Sequence, residues 1–106
     1  MVKVLIIDDS AFVRRSLTTI LEKDPDIQIV GTASNGLEGV ALAAKLEPDV
    51  ITMDVEMPKM NGLEALAKIM VESPCPVIMI SSLTGEGAET TLKALELGAL
   101  DYMPKL

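Results

Sequence analysis

The sequence has no histidine, no tryptophan and a single cysteine, and aromatic residues make up only 2% of it. Each shortage excludes something. Without histidine there is no Ser-His-Asp or Cys-His catalysis and no imidazole-ligated zinc. Cys75 alone forms neither an internal disulfide nor a thiolate metal site, as expected of a reducing compartment. Between Pro74 and Pro76 it reads as a small apolar residue. Phe12 and Tyr102 are the whole aromatic complement, which removes stacking platforms for single-stranded nucleic acid. Basic residues are scarce as well: 9 against 16 acidic ones leave a net charge of −7, which repels polyphosphate. No apolar run approaches the roughly 20 residues of a bilayer span. The first residues lack the basic, apolar and small-residue order of a secretory leader. The expectation is a cytoplasmic protein with neither nucleic acid nor membrane as a direct partner.

What remains is ordinary globular material. The 106 residues are 49% apolar and 24% charged, enough for one domain with one core. Two patterns alternate along it. Val4-Leu5-Ile6-Ile7, Val50-Ile51-Thr52-Met53 and Val77-Ile78-Met79-Ile80 are short apolar runs, as in strands buried on both faces of a parallel sheet. Between them lie helical periods: Val13, Leu17, Ile20 and Leu21; Leu37, Val40, Ala41 and Ala44; Leu63, Leu66, Ala67 and Met70; Ala88, Thr91, Leu92 and Leu95. Asn35 with Glu38, and Asn61 with Glu64, have capping-box spacing, and Gly98 closes the last period as a C-terminal cap. Ile27-Gln28-Ile29 alternates, and Leu100-Asp101-Tyr102-Met103-Pro104 carries a charge and a proline, so both suit edge strands. Right-handed crossovers then predict a doubly wound α/β fold, a five-stranded parallel sheet in the flavodoxin-like order 2-1-3-4-5.

Such sheets bind ligands beyond the carboxyl ends of their strands. Asp8 and Asp9 follow strand 1 and Asp54 ends strand 3. Three carboxylates meeting there repel one another unless a cation joins them, and hard oxygen ligands point to Mg²⁺. Taken singly, Asp8 and Asp9 read as helix-capping residues beside Ser10, and Asp54 as a solvated turn; their shared edge favours a site. Ser81 and Lys105 end strands 4 and 5 on the same edge, and a hydroxyl with an ammonium there can hold phosphoryl oxygens.

The pattern Asp8-Asp9-Ser10, Asp54-Val55-Glu56-Met57-Pro58-Lys59-Met60-Asn61-Gly62, Ser81 and Lys105 resembles the receiver domain of two-component response regulators. Val77 to Thr84 and Gly98 to Tyr102 most resemble the receivers of chemotaxis methylesterases. The resemblance covers residues 1–106. It implies a signalling domain that catalyses only its own phosphorylation and dephosphorylation, not ester hydrolysis. Asp54 would be the phosphoacceptor, with Asp8, Asp9, Asp54 and the backbone carbonyl of Glu56 around Mg²⁺. Ser81 would be the switch hydroxyl, Lys105 the phosphoryl-binding lysine and Tyr102 the switch aromatic. A histidine kinase would be the phosphodonor, and an output domain or partner would meet the fourth helix and fifth strand. The family's final helix, and an output domain, are missing from these residues. Leu100, Tyr102, Met103 and the flank of strand 1 are therefore expected to form an uncovered apolar surface open to self-association.

Two other functions share parts of this pattern. A flavodoxin wraps its first loop around a phosphate, which Asp8-Asp9-Ser10 would repel. A haloacid-dehalogenase-type phosphatase needs two aspartates spaced two apart after strand 1, a spacing absent here. A receiver serving only as a docking module would not need the acidic constellation.

Overall fold

The computed structural model describes residues 1–81 and 87–105. Five strands and four helices alternate: β1 (Val2–Ile7), α1 (Ala11–Leu21), β2 (Ile27–Ala33), α2 (Gly36–Leu46), β3 (Val50–Asp54), α3 (Gly62–Glu72), β4 (Val77–Ser81), α4 (Gly87–Glu96) and β5 (Asp101–Pro104). All neighbouring strands pair in parallel, in the order β2-β1-β3-β4-β5. The three apolar runs are the three central strands. β2 and β5 are the edges, so Pro104 removes no donor that an inner strand would need. β2 runs on past the alternating triplet to Ala33, with a bulge that skips Val30 where its pairing passes from Val4 to Leu5.

One face of the sheet carries the main core. Leu5, Ile7, Ile51, Met53, Val77 and Met79 pack against Ala43 of α2, Ala65, Leu66 and Ile69 of α3, and Ala94 of α4. Burying each large aliphatic side chain contributes about 1.5–3 kcal/mol. The inward faces of the helices correct the sequence reading in three places. In α2 the buried residues are Gly36, Gly39 and Ala43, while Leu37 is 51% exposed. The reason is close approach: a Cβ on Gly39 would lie 2.6 Å from Cδ1 of Ile7. In α4 Ala94 is buried, whereas Leu92 and Leu95 are exposed; Ala88's side chain lies outside the described residues. In α1 no residue is fully buried, and Ile20 is exposed.

The helix ends follow their local chemistry. Asn61 and Glu64 form both halves of a capping box, whereas at Asn35 the side-chain oxygen accepts from the Glu38 N–H (2.9 Å). Gly98 takes φ +109°, a left-handed conformation favourable to glycine, directly after α4.

The opposite face of the sheet is covered by α1 over β1, where Val4 and Ile6 are buried. Of the flank of strand 1 that was expected to be exposed, only Val2 is open, at 43%. Tyr102 is also half-buried and packs against the main core. The apolar opening lies instead between α1 and β4–β5, as a groove of about 280 Å³ lined by Phe12, Val13, Leu17, Ile20, Ile80 and Met103, among others. No helix of the described residues is long and apolar enough to cross a membrane.

Candidate functional site

Sheet register brings the polar strand ends to one edge. Ile7 pairs with Met53, Asp54 with Ile80, and Ser81 with Pro104. Asp8 therefore emerges beside Asp54, Ser81 follows one strand further on, and the Lys105 N–H donates to the Ser81 carbonyl at 2.8 Å. Asp9, Asp54, Glu56, Ser81 and Lys105 line a pocket of about 180 Å³. Asp8, Asp54 and Ser81 are buried, and Asp9 is exposed at the mouth.

Asp8 is held at every polar group. Its N–H donates to the Ala33 carbonyl (3.0 Å), its Oδ1 accepts from the Ser10 N–H (2.9 Å), and its Oδ2 meets Lys105 Nζ (3.0 Å). Its carbonyl accepts from Nη1 of Arg14 at 2.7 Å. Ser10 caps α1, its hydroxyl accepting from the Val13 N–H. The capping role that the sequence allowed for this loop is thus filled by Ser10, which leaves the Asp9 carboxylate to the pocket.

The loop after β3 is pinned from two sides. The Gly62 N–H donates to the Val55 carbonyl at 2.7 Å, and the Gly36 N–H to the Met60 carbonyl at 3.0 Å. A Cβ on Gly62 would collide with the Asp54 carbonyl oxygen, so only glycine lets α3 start this close to the site. Lys59 takes φ +68° within this loop. Glu56 thereby borders the pocket with its side chain outward.

One carboxylate oxygen from each of Asp8, Asp9 and Asp54 lies within 4.8 Å of the others. Lys105 Nζ sits 3.0 Å from Asp8 and 3.3 Å from Asp54 Oδ1, and among the described residues it makes the only ion pairs to the three acids. The Asp54 pKa is pushed up to about 6, first by burial and then by the Asp8 charge, with Lys105 pulling the other way. Burial opposes the Lys105 charge, but its hydrogen bond to Asp8 and the charges of Asp54 and Asp8 outweigh that, and its pKa is raised. Excess negative charge on hard oxygen donors is the donor set Mg²⁺ takes, so these residues fit the ion.

The site residues expected from sequence, Asp8, Asp9, Asp54, Glu56, Ser81 and Lys105, thus come together. Tyr102 does not line the pocket; it pairs with Met79, two residues before the Ser81–Pro104 pair on β4 and β5. Ser82, Leu83 and Thr84 lie outside the described residues. Nothing in the sequence singles out Arg14 as site-shaping, and Gly62 enters only within the receiver pattern, without a stated role.

Residues 4–106 match the response regulator receiver domain model. The chain is 60% identical over 105 residues to a protein-glutamate methylesterase/protein-glutamine glutaminase 1 of Oleidesulfovibrio alaskensis, covering 99% of this chain and 28% of that protein. It is 55% identical over 104 residues to the corresponding protein of Pyrococcus abyssi, covering 98% and 28%. It thus spans little more than a quarter of the length of these relatives. Among solved structures, the response regulator domain of Thermotoga maritima CheB superposes with a TM-score of 0.95 at 53% identity, covering 99% of this chain and 78% of that one. A chain of the CheX-CheY-BeF3-Mg²⁺ complex of Borrelia burgdorferi gives a TM-score of 0.91 at 34% identity, covering 99% and 78%. The chain belongs to the response regulator receiver domain family, and within it is similar to the receivers of CheB.

Proposed function

We propose that this domain takes a phosphoryl group from a histidine kinase onto Asp54 and passes the signal on through its fourth helix and fifth strand. The observation that carries this reading is the placement of Asp54: a buried carboxylate clustered with those of Asp8 and Asp9, with Lys105 bridging Asp8 at 3.0 Å and Asp54 at 3.3 Å. Asp8, Asp9, Asp54 and the Glu56 carbonyl would hold Mg²⁺, whose charge offsets that of the incoming phosphoryl oxygens. The structure in complex with Mg²⁺ from Borrelia burgdorferi supports that choice of ion by analogy.

The chain's own residues then have definite tasks. Ionised Asp54 attacks phosphorus in line; its new O–P bond forms as the P–N bond to the kinase imidazole breaks, the electron pair leaving with the ring nitrogen. Lys105 stabilises the charge on the transferred group, and the Ser81 hydroxyl lies where it can hold a phosphoryl oxygen. Phosphorylation moves the negative charge at Asp54 from the carboxylate oxygens outward onto the phosphoryl oxygens, and so shifts the anion that Lys105 contacts. Lys105 follows directly on β5, so the change reaches Tyr102 and the α4–β5 surface, where Leu92, Leu95 and Leu100 are exposed. Relatives carrying a methylesterase/glutaminase name suggest that the output is a chemotaxis methylesterase activity, supplied by a partner or by a further part of a longer protein.

The test is incubation with Mg²⁺ and acetyl phosphate, followed by intact-mass measurement. Wild type gains the mass of one phosphoryl group and Asp54→Asn gains none. An adduct that persists in Asp54→Asn overturns the assignment.

A further inference from the structure

We propose that Arg14 is a positioning residue that sets the direction of the Asp9 carboxylate and thereby tightens Mg²⁺ binding. The inference rests on the cation-site reading of Asp8, Asp9 and Asp54. Asp8 is fixed by the bonds of its amide and both carboxylate oxygens. Asp9 is exposed, its carboxylate meets that of Asp54, and its aim depends on the plane of the Asp8–Asp9 peptide. That peptide's oxygen is the atom Arg14 holds, at 2.7 Å, in a charge-assisted bond.

Several features make this bond more than a surface decoration. Arg14 lies in the first turns of α1, and its own N–H donates to the Ser10 carbonyl (3.0 Å), so the stem starts from a rigid point. The bond is half-buried. Among the described residues, no ion pair of Arg14 is found, so its guanidinium is not diverted to a carboxylate. α1 has no fully buried residue, which leaves this bond and the Ser10 cap as specific ties between the helix and the acidic loop. An always-charged, planar guanidinium suits a carbonyl held at fixed distance.

Electrostatics alone predicts the opposite outcome. A positive charge near three carboxylates competes with a cation, so deleting it should tighten Mg²⁺ binding. Positioning predicts weaker binding, since partners that orient metal ligands typically contribute 10- to 100-fold in affinity. The experiment is calorimetric titration of the metal-free protein with MgCl₂. Arg14→Met keeps the apolar stem and should raise the Mg²⁺ dissociation constant about tenfold. Arg15→Met removes a neighbouring exposed charge and should leave the constant unchanged or lower it. Equal or tighter binding in Arg14→Met overturns the proposal. If Arg14→Met does not fold by circular dichroism, Arg14→Lys is compared with Arg15→Lys. A constant raised roughly threefold or more only by Arg14→Lys supports positioning, and equal constants overturn it. Wild type that binds no Mg²⁺ would instead remove the cation-site reading itself. Wild type that binds Mg²⁺ but gains no phosphoryl mass would remove only the phosphoacceptor reading.

Discussion

Asp54 is asked to be a nucleophile in a place that disfavours its charge. Its pKa of about 6, against 3.8 for an ordinary aspartate, means that the metal-free folded state binds the Asp54 proton more tightly than the unfolded chain does. Stability must then fall as pH rises between about 4 and 6, and the full cost of the charge is present above that window. Lys105 has the reverse sense: its raised pKa contributes stability present at neutral pH and lost only as alkali removes its proton. Denaturant unfolding of the metal-free protein from pH 4 to 7 should therefore show a declining stability that Asp54→Asn flattens. The variant should be the more stable protein at pH 7, and an unchanged slope would contradict the burial argument.

At the scale of elements, the β3–α3 connection decides where Glu56 and Asp54 stand. Two neighbouring residues hold it by different means, and their substitution should separate cleanly. Asn61→Ala loses the cap of α3 and should cost about 1 kcal/mol, leaving phosphorylation intact. Gly62→Ala forces a methyl group into the Asp54 carbonyl, a backbone group that cannot rotate away. It should cost about 3 kcal/mol and also slow phosphorylation from acetyl phosphate, because relief of the clash moves the strand end bearing the phosphoacceptor. Measuring unfolding and phosphorylation rate together checks both. The elements also show where the sequence pattern misleads. Leucine positions in α2 and α4 suggested inward faces, yet Gly36, Gly39, Ala43 and Ala94 are the residues against the sheet. Where a helix backbone lies this close, small residues occupy the contact and larger ones are pushed to its borders.

For the molecule as a whole, the asymmetry between the two sheet faces matters most. Three helices seal one face, whereas α1 alone stands over the described part of the other and leaves the groove beside β4 and β5. Phe12 is 76% exposed, with Ile20, Met103 and Leu100 also open. Sedimentation of this 106-residue polypeptide across a concentration series should show self-association. Phe12→Ser with Ile20→Ser should weaken it, because both changes remove apolar area without touching the pocket. A monomer at all concentrations would mean that the groove is too small or too polar at its rim to pair.

Much of this protein is decided locally. A run such as Val77-Ile78-Met79-Ile80 is apolar on successive positions because a central parallel strand is buried on both faces, so strand identity survives in the sequence alone. The residues that follow those runs, Asp8, Asp54 and Ser81, were legible as a site for the same reason, since parallel strands end on one edge. Proline and alternation marked the edges, and so the strand order. Tertiary structure decided the rest. That Lys105 reaches both Asp8 and Asp54 depends on β5 pairing with β4 in one register. That Gly62 must lack a side chain depends on how near α3 comes to β3. That Arg14 turns back to the Asp8 carbonyl depends on the angle between a helix and the strand before it. Each is a distance between segments set by the packing of the whole core, and no local pattern of residues encodes it.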